Sequence, residues 1–140
     1  MAQLAARAPC RPGLLTCRCL PLADIATQAR FHDENGMDMI ILQGTTGEWP
    51  ALSTPERLAM AAAWRDAVPF GSRMKLILHV GHDSLVDAQL LAERAVSLQM
   101  DAVLISAPSK FIAHAASHQA EAVVDIMAHC GGIPAFYCGS

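Results

Sequence analysis

Two rhythms of apolar residues alternate along the chain. Short unbroken apolar runs occur at Met39–Gln43 (MIILQ), Lys75–Val80 (KLILHV), Ala102–Ser106 (AVLIS) and Ile133–Cys138 (IPAFYC). Runs of this length, rich in β-branched residues and bounded by turn residues, predict buried strands. Between them, apolar residues recur with a helical period, predicting helices over Leu22–Asn35, from Ser53 to about Ala67, from Ser84 onward, and over about Ala115–His129. In the helix after Ser84, Leu85, Ala88, Leu91, Ala92 and Ala95 share one face. The boundaries have their own chemistry. Gly36 suits the left-handed position that ends a helix, and Gly131-Gly132 ends the last one. Ser53-Thr54-Pro55-Glu56 reads as a capping box with proline in the first turn, where its missing N–H costs nothing.

Strands without polar alternation are buried on both faces, which predicts an α/β fold with a parallel sheet covered by helices. Repeated strand–helix units build either a doubly wound sheet or a (β/α)8 barrel, and periodicity does not choose between them. The alternation spans residues 22–140 of the 140-residue chain. Residues 1–21 stand apart as a poorly defined segment. Leu14–Leu20 reads as a degraded first strand, interrupted by Arg18. Alternatively, Arg7, Arg11 and Arg18 with no acid before Asp24 read as a targeting segment.

In either architecture, function sits at the C-terminal ends of the strands. Here those ends are Gly44–Glu48, Gly81–Asp83, Ala107–Lys110 and Tyr137–Ser140. The first is the richest. Thr45 and Thr46 offer adjacent hydroxyls beside glycines that permit close approach, a pocket for a small carboxylate. Read without chemistry, the same residues make a structural turn.

The motif Gly44-Thr45-Thr46-Gly47-Glu48, followed by Leu52-Ser53 and Glu56-Arg57, resembles the signature of the N-acetylneuraminate lyase and dihydrodipicolinate synthase superfamily. Trp64, His79-Val80-Gly81, Ala107-Pro108 and Pro134-Ala135-Phe136-Tyr137 resemble the lyase branch. The resemblance implies the first half of a TIM (β/α)8 barrel. It also implies a class I aldolase that reversibly cleaves sialic acid to N-acetylmannosamine and pyruvate, without metal or organic cofactor. The family's lysine forms a Schiff base that serves as electron sink, and a tyrosine relays protons. By likeness, Thr45 and Thr46 bind the carboxylate of a 2-oxo acid and Tyr137 is the candidate catalytic tyrosine. The full-length family is usually a homotetramer. The alternatives are the dihydrodipicolinate synthase or 2-keto-3-deoxy sugar acid aldolase branch, and a non-catalytic truncated barrel that pairs with full-length subunits.

Three departures from the pattern define what to look for. The Schiff-base lysine is expected about one βα unit, roughly thirty residues, beyond Ser140, so the chain reads as a fragment or an inactive form. Lys75 and Lys110 are the only lysines present, at a strand start and in a loop. The family tyrosine falls four residues after the strand's proline, where this chain has Cys138; Tyr137 is one position early, and a one-residue shift turns a strand side chain to the other face. The family's apolar first strand is not recognisable. Four or five parallel strands without partners leave open edges, which predicts self-association.

Composition narrows the function classes. The chain is 53% hydrophobic and 16% charged, with net charge −3, a core-forming composition with no basic patch for nucleic acid. No apolar run is long enough to span a membrane. Five cysteines, at 10, 17, 19, 130 and 138, fit neither a disulfide framework nor a zinc knuckle and predict free thiols in a cytoplasmic setting. His79, His82 and Asp83 superficially resemble a metal cluster, but residues three apart on a strand face opposite sides. His114 and His118 read as a solvated helix face, and Met37, Met39, Met60 and Met74 as core filler. Trp49 and Pro50 are placed to shape the pocket mouth, and Glu48 to hydrogen-bond the loop backbone.

Overall fold

A computed structural model describes residues 22–106, 108 and 116–139. The proposed first strand at Leu14–Leu20, Cys10, Cys17, Cys19, Lys110 and His114 lie outside the described residues. After a 3-10 turn at Leu22–Asp24, the elements are α1 (Ile25–Glu34), β1 (Met39–Leu42), a 3-10 turn (Trp49–Ala51), α2 (Thr54–Ala67), β2 (Lys75–His79), α3 (Leu85–Ser97), β3 (Ala102–Ser106), α4 (Ala116–Met127) and β4 (Ala135–Cys138). All four predicted strands and all four predicted helices form, with ends shifted by a few residues.

The strands make one parallel sheet in the order β1-β2-β3-β4. Each strand lies beside its predecessor, with no reversal of strand order. That sequential order belongs to a segment of barrel, whereas a doubly wound sheet has a switch point. The register pairs Leu42 with Leu78, Leu78 with Val103, and Val103 with Ala135. Leu42, Leu76, Leu78, Val80, Val103 and Ile105 pack with Ala61, Trp64, Ala88, Leu91, Ala92 and Ala95 of the helices. This helix-side face is the core. The opposite, interior face carries Ile41, Ile77, His79, Leu104, Phe136, Ser106 and Cys138 by alternation.

Local chemistry sets the helix ends as the residues predict. The Glu56 carboxylate accepts the Ser53 N–H at 2.9 Å and the Ser53 hydroxyl at 2.7 Å, closing the capping box of α2. The Ser84 hydroxyl accepts the Asp87 N–H at 3.3 Å at the start of α3. At the N-terminal pole of the sheet, Asp101 accepts the Leu76 N–H at 3.0 Å and pairs with Arg65 at 3.1 Å and Lys75 at 3.4 Å. Burial pushes the Asp101 carboxyl up, but the Leu76 N–H and Arg65 outweigh it and hold it below its ordinary value.

The methionines depart from expectation. Met74 is buried, but Met37 and Met39 are exposed. Met39 lies on the outermost strand, where hydrophobicity alone does not bring a covering partner. Cys130 is buried and Cys138 exposed, both as free thiols. Among the described residues, no helix is long and apolar enough to cross a membrane.

Candidate functional site

Because all four strands are parallel, the turn after β1, the loop after β2 and the end of β4 share one pole. The turn is built by backbone geometry. Gln43 and Glu48, at either end, adopt left-handed φ values of 57° and 52°, uncommon for residues with a Cβ. Between them the chain folds back closely. A Cβ on Gly47 would lie 3.1 Å from the Gln43 Cα, so a side chain at position 47 would press on the backbone at the foot of the turn. The Glu48 N–H closes the turn onto the Thr45 carbonyl at 3.0 Å. Glu48 thus serves the loop through its backbone. Thr45 and Thr46 are both exposed at the crown of this turn.

Beneath the turn lies a buried polar hub that hydropathy does not reveal. Arg57, from the first turns of α2, is fully buried. Its Nε donates to Gln43 Oε1 at 2.9 Å, while Gln43 Nε2 donates to the Arg57 carbonyl at 2.7 Å. Its Nη1 donates to the Gly81 carbonyl at 2.9 Å, and Nη2 donates to the His79 carbonyl. The guanidinium also sits 5.3 Å from the centroid of the Trp49 ring. One side chain therefore ties the end of β1 to the end of β2 and holds Gln43 in its strained conformation. Burial lowers the Arg57 pKa to about 10, against the opposing charge of Asp87, so the group stays cationic at neutral pH.

Trp49 closes over this hub, with ring centroids 5.4 Å from His79 and 5.9 Å from His82. His79 Nε2 lies 2.9 Å from Ser106 Oγ and its Nδ1 3.4 Å from Arg57 Nη2. Burial first, then the Arg57 charge, lowers the His79 pKa to about 4, so the ring is neutral. His82 instead accepts the Ser84 N–H on Nδ1 at 2.9 Å. The two histidines therefore serve separate local structures. Among the described residues, no group of three or more His, Cys, Asp or Glu side chains is placed to hold a metal ion.

Tyr137 is at the same pole but on another face. It pairs with Ile105, whose side chain is in the helix-side core, whereas Cys138 pairs with Ser106 on the interior face. The Tyr137 ring is about half exposed. Lys75 lies at the N-terminal end of β2, bonded to the Ser72 carbonyl and paired with Asp101. A groove of about 480 Å³ between α2 and α3 is lined by Leu58, Leu90, Glu93 and Arg94, on the helix layer and remote from the strand ends. Arg57, Gln43 and Ser106 are the site residues that residue patterns miss. The available signals were the Glu-Arg pair in the motif and a single polar residue closing an apolar run.

The family model described as "Dihydrodipicolinate synthetase family" matches residues 19–135. The chain belongs to this family. Among its members, N-acetylneuraminate lyase of Danio rerio is 31% identical over 105 residues, covering 75% of this chain and 34% of that protein. The 4-hydroxy-tetrahydrodipicolinate synthase of Synechococcus sp. (strain CC9605) is 37% identical over 87 residues, covering 62% and 28%. The solved Proteus mirabilis N-acetylneuraminate lyase superposes with a TM-score of 0.80 at 26% identity, covering 86% of this chain and 40% of that one. The chain thus spans about a third of the length of these curated relatives. The four-stranded parallel sheet with its helices is the corresponding part of the family's TIM barrel.

Proposed function

We propose that residues 22–140 form the N-terminal half of an aldolase-type barrel that binds the carboxylate of a small 2-oxo acid through Thr45 and Thr46, with residues 1–21 a separate segment. The observation that carries this reading is the Arg57 hub. It anchors Gln43, at the foot of the Gly44–Gly47 turn, to the end of β2 at the C-terminal pole, with Thr45 and Thr46 both exposed. Adjacent hydroxyl and backbone donors on a preformed turn suit a carboxylate. Pyruvate is the probe of choice, since YagE, a structural relative, carries it in its solved complex. Relatives named as lyases and as synthases match equally well, so both N-acetylneuraminate cleavage and the dihydrodipicolinate synthase branch fit the family. A proton-relay role for Tyr137 requires β4 to shift by one residue, which would turn its phenol to the interior face.

The chemistry of a Schiff base needs an amine at the site; Lys75 is at the wrong pole, and Lys110, which follows β3 in the chain, is not at the family's lysine position. Borohydride treatment with pyruvate, read by mass spectrometry, is expected to give no adduct. Titration of pyruvate into the chain, followed by NMR, is expected to show binding that Thr45→Ala or Thr46→Val weakens. Unchanged affinity in both variants would remove the reading. The second reading, a module that pairs with full-length subunits or with itself, is favoured by the exposed Met39, Ile41 and Phe136 on the interior face. Light scattering on the chain alone and mixed with a full-length relative tests it, and a monomer in both would end it.

A further inference from the structure

The interior face carries one polar pair, buried His79 with half-buried Ser106, whose proton positions follow from its neighbours. Arg57 has only donors, so a hydrogen bond from Nη2, 3.4 Å away, makes the His79 Nδ1 its acceptor. A neutral ring then carries its single proton on Nε2. That N–H donates to Ser106 Oγ at 2.9 Å. The Ser106 oxygen is thereby occupied as an acceptor, and its own proton is left to donate elsewhere. His79 does not serve as a base for Ser106; it sets Ser106 as a donor. Space is reserved for the pair, because a Cβ on Gly81 would lie 2.2 Å from Ser106 Oγ and 2.9 Å from His79 Nε2. Among the described residues, His79 is the only hydrogen-bond partner of the Ser106 hydroxyl.

Position decides what Ser106 can donate to. It ends β3 on the interior face, two strands from the Thr45-Thr46 turn after β1. Two strand spacings are about 10 Å. Pyruvate spans only about 4 Å from carboxylate oxygen to methyl at standard bond lengths. A ligand whose carboxylate is held at the turn reaches Ser106 only if it continues as a longer chain bearing oxygens.

We infer that Ser106 is a specificity residue that donates to a distal hydroxyl or carbonyl oxygen of an extended, hydroxylated 2-oxo acid, with His79 and Arg57 as the residues that position it. This rests on the proposed carboxylate role of Thr45 and Thr46. Two ligands separate the two ideas: pyruvate, and the six-carbon acid 2-oxo-3-deoxygluconate. Ser106→Ala is expected to weaken the six-carbon acid about five-fold, the loss of one hydrogen bond, and to leave pyruvate unchanged. Ser106→Thr, which keeps the hydroxyl, restores affinity, and His79→Gln, which keeps a donor near Nε2, retains part of it. Thr45→Ala weakens both ligands. If Ser106→Ala leaves the six-carbon acid unaffected while Thr45→Ala weakens it, the inference fails and the carboxylate reading stands. If Thr45→Ala and Thr46→Val both leave pyruvate unaffected, the carboxylate reading fails instead. Long-range nitrogen–proton NMR on the unmodified chain reads the tautomer independently of any variant's folding. A proton on Nδ1, or labelling of Ser106 by a fluorophosphonate, overturns the donor assignment.

Discussion

The two faces of the sheet both carry apolar residues and are very unequal in burial. On the helix side, Leu76, Leu78, Val80 and Val103 are at 0% exposure. On the interior side, Ile77 and His79 of β2 are buried, while Met39 (53%), Ile41 (47%) and Phe136 (53%) on the outer strands are open. The difference shows where the stability of the chain resides. Its helix layer is a complete half-sandwich. Its interior face is open on the outer strands and contributes less cohesion.

The largest effect that would test this contrast is a cavity on the helix side. Leu78→Ala is expected to cost about 3 kcal/mol in urea unfolding, because its neighbours are fully packed and cannot collapse around the gap. A cost under about 1 kcal/mol would mean the two faces are energetically alike. The next effect comes from buried His79 on the interior face. The His79 pKa falls from 6.5 to about 4 on folding. The unfolded state therefore binds more protons between these values. The contribution of His79 is fully present above about pH 6.5 and is lost as pH falls toward 4, by roughly 3 kcal/mol at most. Thermal melts at pH 7 and pH 4.5 read it, and His79→Gln should flatten that part of the profile. Flat melts in the unmodified chain would show that the His79 ring is hydrated.

Smaller again is Ile41→Ala on the open face, expected to cost less than about 1 kcal/mol because much of the side chain is already in water. Should it cost as much as Leu78→Ala, the interior face is covered in solution, and the covering surface is worth mapping. Smallest is Thr45→Ala, expected to shift the unfolding midpoint by less than about 0.5 kcal/mol, as for other exposed positions. Under the proposed function, its effect falls on ligand binding instead. A large loss of stability would recast the turn as structural.

Most of the fold was legible because unbroken apolar runs, a capping box and helix-ending glycines each point to the same elements. The sheet's burial was less so. Met37 and Met39 read as core residues, yet an outer strand of the same composition as an inner one is exposed for lack of a neighbour. The face of Tyr137 was legible only from its register, one position early against the family's tyrosine, and the structure does pair it with Ile105 on the helix-side face. When both faces of a strand are apolar, the pattern no longer specifies which residue points where. Arg57 was hidden most deeply. Directly after a Ser-Thr-Pro-Glu cap, an arginine reads as solvated, and only partners 14 to 24 positions away in the chain bury it.

That guanidinium also sets how the molecule breathes. Because it clasps the ends of two strands from a helix that lies between them in the chain, none of the three can lift away without breaking the same knot. Amide protons of Leu42, Leu78 and the middle of α2 are therefore expected to exchange with deuterium as one cooperative block. Replacing Arg57 by methionine should split that block into segments that open on separate clocks.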